Sequence, residues 1–436
     1  MKVLLVVGFL FFASETHAQV NRFKIKDNKR SERIKFDLFN NLIIIPLKIN
    51  GVELKFLLDS GVDKTILFSF DAVDSLMLKN TKFIKIRGLS SKQKYSAYKS
   101  SGNQIDIKNI SNKNADIYVV FDQENYLSGS VGTVINGVIG YDLLKDFVLR
   151  FDYSLKTLKF YTPSKFNRPL IFFKETDIDL INNKPHLKAS IADKDIGNKK
   201  GNFLLDTGSS DAIWLYQNDS LTLPSKKFED NIGFGFRGII TGYRSKIDHF
   251  ELTGYKFKNA KVAFPDLNVE LTKNRVGSIG NEILKRFKFF INYQDKKIYF
   301  KSTTSIDNDF NYDKSGLLIR YDGLSIIEKQ IPVRVNIQST ASENYGSTNK
   351  NESFKTIYEI KKKVKVAGLR KGSPAQKAGI LPKDIIVFLQ GKSINRYDLK
   401  EIRKLLSSKD GKLIEMKINR NGKIIDIQFN LNDRLN

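Results

Sequence analysis

Two segments of this sequence end an apolar run with a carboxylate, a hydroxyl and a glycine: Phe56-Leu57-Leu58-Asp59-Ser60-Gly61 and Phe203-Leu204-Leu205-Asp206-Thr207-Gly208. Average composition predicts on the order of 0.2 Asp-(Ser/Thr)-Gly triplets in a chain of this length, so two in matched contexts carry information that one would not. In each, the apolar residues bury a strand and the glycine lets the backbone turn sharply behind it. The carboxylate is left at a loop tip, facing its duplicate. Two carboxyl groups about 3 Å apart cannot both ionise, so they share a proton and titrate at two separated values. The ionised member can take a proton from a water attacking a peptide carbonyl, while the protonated member polarises that carbonyl and protonates the departing amine. The competing reading has Asp59 and Asp206 as strand-end caps, which does not explain why both copies keep all three residue types.

What positions the aspartates is a duplication. Gly137 to Phe160 aligns without gaps on Gly277 to Phe300, with Gly137/Gly277, Ile139/Ile279, Gly140/Gly280, Phe147/Phe287 and Tyr153/Tyr293 among the identities. Two blocks in one order at nearly one offset mean two copies of one domain. Each copy reads as β. Leu42 to Ile49 and Val52 to Leu58 are strands joined by Asn50-Gly51, the dipeptide of a type I′ hairpin turn, and they deliver Asp59 to a strand end. Leu187 to Ala192 and Asn202 to Leu205 take the same parts around a longer polar loop, Asp193 to Gly201. The later blocks read as a strand ending at Ile139 or Ile279, then a short helix (Asp142 to Phe147, Glu282 to Phe287). A closing hairpin follows, turning near Tyr153-Ser154 and Gln294-Asp295.

Composition excludes other chemistries. The 436 residues contain no cysteine and three histidines, His17, His186 and His249, so thiolate metal sites and cysteine nucleophiles are absent and a three-histidine zinc centre is nearly excluded. His186 and His249 read as peripheral, Trp214 and Leu215 as core or cleft wall. Neither metal nor cofactor is expected. The 41% hydrophobic content is that of a globular chain, and no apolar run after the first 20 residues is long enough to span a bilayer. Lys2, the apolar Val3 to Ala13 and Thr16-His17-Ala18 before Gln19 form an export signal over residues 1–18, so a periplasmic or extracellular location is expected. The net charge of +26 comes from lysines scattered through every segment, which points to solvated faces and not to a nucleic-acid surface. The mature chain is expected to be a monomer.

The active-site residues resemble the aspartic proteases of pepsin and retropepsin type. Asp59-Ser60-Gly61-Val62-Asp63-Lys64-Thr65-Ile66-Leu67 is similar to the retroviral loop, and Asp206-Thr207-Gly208-Ser209-Ser210-Asp211-Ala212-Ile213-Trp214 to the pepsin loop. Val138-Ile139-Gly140 and Ser278-Ile279-Gly280 resemble the hydrophobic-hydrophobic-glycine element that threads each loop. The likeness implies two β-barrel lobes in a pseudo-twofold arrangement, 36–162 and 170–302, with Asp59 and Asp206 catalytic. It also implies that Ser60, Gly61, Thr207 and Gly208 support the loops, the two hydroxyls bonding across them. Ser60 stands where threonine is commoner. Flap hairpins are expected at Gly88 to Gly102, with Tyr95 or Tyr98 near substrate, and at Gly233 to Gly242.

After a polar, linker-like Ser302 to Asn311, a third unit spans 310–434. Strand starts at Gly316 and Val364 lead to Ser373-Pro374-Ala375, where Ser373 can cap a helix that Gly379 ends. Lys383-Asp384-Ile385-Ile386 follows. A second helix from Asp398 has Leu399, Ile402, Leu405 and Leu406 on one face, and two strands then meet at Asn421-Gly422. This order resembles an α+β PDZ domain of the bacterial kind, which implies a peptide or free C-terminus as ligand and Ser315, Gly316, Leu317 and Leu318 as the carboxylate-cradling loop. Lys383 departs from the usual glycine, and Ser339 to Ser353 reads as a polar insertion. The whole describes a mainly β exported aspartic endopeptidase acting on proteins or peptides. The alternative is a catalytically silent protein that grips peptides with the same cleft and PDZ groove. Whether Gln19 to Asp37 is a removable pro-segment or an extra strand stays open.

Overall fold

A computed structural model of the protein describes residues 21–68, 76–87, 94–120, 126–217, 221–235, 238–266, 275–333 and 353–435. The export signal, residues 339–352 of the insertion and the tips of both flaps lie outside these. Asn50 (φ 47°) and Gly51 (φ 92°) both take left-handed backbone, so Leu42–Ile49 and Val52–Leu58 pair as a tight hairpin with Ile49 opposite Val52. This hairpin sits at the centre of a nine-stranded first-lobe sheet, and its counterpart, Lys184–Asp193 with Gly197–Leu205, anchors an eight-stranded sheet in the second lobe. There the sequence reading of a long polar loop is corrected. The strands pair onward to Asp193 opposite Gly197, and the turn is held by Asp193 Oδ1 accepting the N–H groups of Asp195 and Ile196.

A six-stranded sheet joins the lobes, in the order Lys174–Asp177, Lys297–Ser302, Phe287–Asn292, Val148–Asp152, Thr157–Tyr161, Ser31–Lys35. Its two central strands run antiparallel with Arg150 opposite Phe290. These residues are equivalent under the duplication, so the pseudo-twofold axis passes between them. Phe147, Phe151, Phe160, Phe287, Phe289 and Phe300 are all buried there, with Phe151 stacked on Phe289 at 4.4 Å. The short helices end earlier than the sequence suggests, at Tyr141–Leu144 and Asn281–Leu284, because the chain must turn into these central strands. Ser31–Lys35 precedes residue 36, where the sequence reading starts the first lobe. It pairs with Thr157–Tyr161 while Phe23 and Phe36 are buried, so this stretch is an integral strand of the fold.

The C-terminal unit is a six-stranded sheet with helices Pro374–Lys377 and Leu399–Leu406. Ser373 caps the first by accepting the Gln376 N–H, and Asp398 and Glu401 cap each other's backbone at the second. Leu399, Ile402 and Leu406 are buried and Leu405 packs at the core margin. Leu317–Val333 and Ser353–Leu369 form a hairpin much longer than the strand starts indicated. The segment read as a linker is packed instead: Arg286 Nη1 donates to the carbonyls of Ile306, at 2.9 Å, and Asn308, and Phe310 is buried.

Candidate active site

Each aspartate is placed by the same local construction. Gly137–Ile139 runs parallel to Val52–Leu58 and antiparallel to Ile66–Phe68, so the Ile139 carbonyl accepts the Asp59 N–H at 2.9 Å. Arg275–Ile279 does the same in the second lobe, and the Ile279 carbonyl accepts the Asp206 N–H at 2.9 Å. The loop is folded over the glycine that follows. A Cβ on Gly140 would lie 2.2 Å from the Asp59 carbonyl oxygen, and one on Gly280 would lie 2.4 Å from that of Asp211, so no side chain fits at either position.

The two loops meet through four reciprocal hydrogen bonds. Ser60 N–H donates to Thr207 Oγ1 at 2.9 Å, and Thr207 N–H to Ser60 Oγ at 3.0 Å. The Ser60 hydroxyl donates to the Leu205 carbonyl at 2.6 Å, and the Thr207 hydroxyl to that of Leu58 at 2.9 Å. Both side chains are buried. Gly61 N–H donates to Asp59 Oδ1 at 2.7 Å and Gly208 N–H to Asp206 Oδ1 at 3.0 Å. A Cβ on Gly61 would sit 3.1 Å from Asp59 Oδ1 and 3.3 Å from Asp206 Oδ1, and one on Gly208 would clash with the Asp59 carboxyl at 2.2 Å. The carboxyl groups therefore converge.

Burial and the charge of Asp206 push the Asp59 carboxyl up to about 8. Asp206 is also raised by burial, but Arg275, the Gly208 N–H and Lys184 oppose the rise. The pair therefore shares one proton, and these cations favour the charge on Asp206. Lys184 and Arg275 were not identified from the sequence, where single basic residues carry no positional signal among so many. Asn281 was also missed, although it follows Gly280 in the duplicated block. Its Nδ2 donates to the Thr207 carbonyl at 2.7 Å while Tyr153 donates to its Oδ1 at 2.5 Å. The symmetric position holds Tyr141, which meets Tyr293 edge-on, and the buried Tyr293 hydroxyl has no hydrogen-bond partner among the described residues. His186 is buried with its Nδ1 against the Lys184 carbonyl, and His249 is exposed.

The strands of both hairpins expected as flaps are formed. Thr81–Arg87 pairs with Lys94–Ile107, and Phe83 and Tyr98 meet edge-on at 5.6 Å, both exposed; the Tyr95 side chain lies outside the described residues. Phe228–Gly235 pairs with Gly238–Leu252, and Gly233 backs on the Trp214 ring. Trp214 is half-buried, with its indole N–H donating to Asp211 at 3.3 Å, and Leu215 is buried. From Asp211 a line of charges runs out of the lobe. Asp211 pairs with Arg244 at 3.0 Å, Arg244 with Asp230 at 2.7 Å, Asp230 with Arg370 at 3.0 Å, and Arg370 lies 3.9 Å from Asp313. Burial alone would raise Asp211, but Arg244 and Lys261 outweigh it and hold its carboxyl far below the usual range. The second-lobe loop, the base of its flap and the C-terminal unit are thus joined by buried ions.

Asp313 reaches the expected carboxylate loop itself. It accepts the Gly316 N–H at 2.5 Å and the Ser315 hydroxyl at 2.9 Å, and Ser315 Oγ in turn accepts the Leu317 N–H at 3.0 Å. Leu318 pairs with Gly368. Burial pushes the Asp313 carboxyl up to about 6 against the pull of Arg370. A cavity of about 1020 Å³ at the junction of second lobe and C-terminal unit, lined by Lys246, Arg286, Lys404 and Asp433 among others, has neither aspartate of the dyad in its wall. Among the described residues no cluster of three or more histidine, aspartate or glutamate side chains could hold a metal ion.

Two stretches of the chain match known families. Residues 45–143 match a family model described as aspartyl protease, and residues 365–420 match one described as a PDZ domain. The crystal structure of an aspartic proteinase from Irpex lacteus aligns with 63% of this chain and 98% of its own at 12% identity and a TM-score of 0.40. No curated protein matches. Residues 45–143 are thus similar to an aspartyl protease and residues 365–420 to a PDZ domain, within a mainly β fold.

Proposed function

We propose that the protein is an exported aspartic endopeptidase whose dyad is Asp59 and Asp206, with a PDZ domain that recognises a peptide segment. The observation that carries this reading is the converging carboxyl pair, held by the reciprocal Ser60 and Thr207 bonds between loops of two lobes. Asp206, ionised and favoured by Arg275 and Lys184, takes a proton from a water lodged between the carboxyls as the water attacks the peptide carbonyl. Asp59, which keeps its proton through neutral pH, donates to the carbonyl oxygen. As the tetrahedral intermediate collapses, the C–N bond breaks and the nitrogen leaves as an amine protonated by the dyad. Export is supported by residues 1–18, with their basic start, apolar run and small-residue end.

The test is cleavage of a denatured protein mixture by the mature chain from mildly acid to neutral pH. Asp59→Asn and Asp206→Asn should each abolish it, while far-ultraviolet circular dichroism stays that of the wild type. Cleavage retained in either variant refutes the dyad. A folded wild type without cleavage under any of these conditions favours the peptide-gripping alternative.

A further inference from the structure

The PDZ groove lies between the start of Leu317–Val333 and the helix Leu399–Leu406, where an incoming peptide would add to the strand edge beside the helix. In this protein that position is filled from the first lobe. The helix Tyr126–Val131 presents Gly129 to the strand, where an added Cβ would stand 2.7 Å from the Tyr321 carbonyl oxygen. Gly132, one residue beyond the helix, lies where a Cβ would contact Leu399 Cδ1 at 3.3 Å and the Tyr321 ring at 3.6 Å. Arg403, on the groove helix, donates to the Ser130 carbonyl and, at 3.3 Å, to that of Ile319. One guanidinium thus ties the strand edge, the groove helix and the first-lobe segment together.

The carboxylate end of the groove is also committed. Two of the N–H groups expected to receive a terminal carboxylate already donate within the domain: Gly316 to Asp313, and Leu317 to Ser315 Oγ. Asp313, partly exposed, supplies the negative charge that a ligand's carboxylate would bring. A second acid placed beside it would meet like-charge repulsion with these two N–H groups already committed.

We propose that the PDZ groove is an intramolecular dock whose ligand is the chain's own internal segment Ser128–Gly132, and that in the full chain it does not take free C-termini. This rests on the reading of the groove as a peptide dock and is independent of the activity of the dyad. Gly129 carries the argument furthest. Within a helix, alanine is favoured over glycine by about 1 kcal/mol, and the three atoms that an added Cβ would meet first all belong to the PDZ domain: the Tyr321 carbonyl oxygen and carbon and Arg320 Cδ. Glycine there is what admits the close approach of the Tyr321 carbonyl.

Gly129→Ala should therefore leave the first lobe folded and push its helix out of the groove. Hydrogen exchange of the full chain reads this directly. We expect amides of Leu399–Leu406 and of the strand start at 317–321 to exchange at least tenfold faster in Gly129→Ala, with those of Gly137–Ile139 unchanged. Unchanged exchange in the groove overturns the proposal. If Gly137–Ile139 also loses protection, Arg403→Ala, which alters no first-lobe side chain, carries the same test with the same two outcomes. The second readout is fluorescence anisotropy with a labelled peptide of sequence 125–133, as C-terminal amide and as free acid. Both forms should bind Gly129→Ala at least tenfold tighter than wild type and within about twofold of each other. Binding of the free acid to wild type as tight as to the variant, no gain in the variant, or a tenfold preference for the free acid each overturns the proposal. Cleavage assays on the same samples report the dyad separately.

Discussion

Removing one hydroxyl of the inter-loop grip should cost stability and shift the dyad's titration together. Ser60→Ala deletes the acceptor of the Thr207 N–H and the donor to the Leu205 carbonyl, leaving two buried backbone groups unpaired. At about 1–3 kcal/mol for each orphaned group, the variant should lose about 3 kcal/mol. Thr207→Val keeps the side-chain shape and orphans the Ser60 N–H and the Leu58 carbonyl, at a similar cost. The two deletions remove different bonds that clamp the same pair of loops. Once either clamp is gone the loops can part and admit water, so the double variant should lose about 4 kcal/mol, short of additivity by about 2 kcal/mol. The assay is urea unfolding followed by the fluorescence of Trp214, the single tryptophan, whose indole bonds Asp211 beside the second loop. In both single variants the alkaline limb of cleavage should move to lower pH, because more distant carboxyls perturb each other less. A cost below about 0.5 kcal/mol in either single variant, or strict additivity with an unmoved pH profile, would refute the reasoning.

Four further outcomes follow. Cleavage should be bell-shaped in pH, with the alkaline limb near 8, where Asp59 loses the proton the reaction needs. Because the folded pKa of Asp59 lies above its unfolded value, its neutral form contributes stability fully below pH 4 and loses it as pH rises through about 8. Asp59→Asn should then gain stability over wild type at pH 8 relative to pH 4, by thermal melts at both, and an equal difference at the two pH values would contradict the shift. Arg370→Ala removes a buried cation standing between Asp230 and Asp313 and should destabilise by about 3–5 kcal/mol, with faster hydrogen exchange in both the flap base at Asp230 and the loop at Gly316. A local change at only one of these would break the proposed continuity. Lys383 holds φ 78°, where a side chain costs about 1–2 kcal/mol; allowing for glycine's extra unfolded-state entropy, Lys383→Gly should stabilise the PDZ domain by about 0.5–1 kcal/mol in a thermal melt.

Local chemistry made much of this protein legible without coordinates. Asn50-Gly51 dictates its hairpin because few residue pairs accept two positive φ values. The Asp-hydroxyl-Gly triplets, the duplicated Gly137 and Gly277 blocks and the Ser373 and Asp398 caps all act within a few residues of chain, so pattern alone reveals them. The duplication even carries its own symmetry axis, since Arg150 and Phe290, equivalent in sequence, lie opposite each other in the joining sheet.

Other features were decided where distant segments meet. The ends of the short helices are set by where the interlobe strands must begin, and the strand Ser31–Lys35 exists because Thr157–Tyr161 offers it an edge. Which carboxyl of the dyad keeps the proton depends on Lys184 and Arg275, single lysine and arginine residues in a chain with 73 of them. The ion line from Asp211 to Asp313 and the docking of Gly129 against Tyr321 each rest on one residue per segment. An element is encoded by a repeated pattern along the chain, whereas a contact between domains needs only one suitable residue on each side, and one residue leaves no pattern to read.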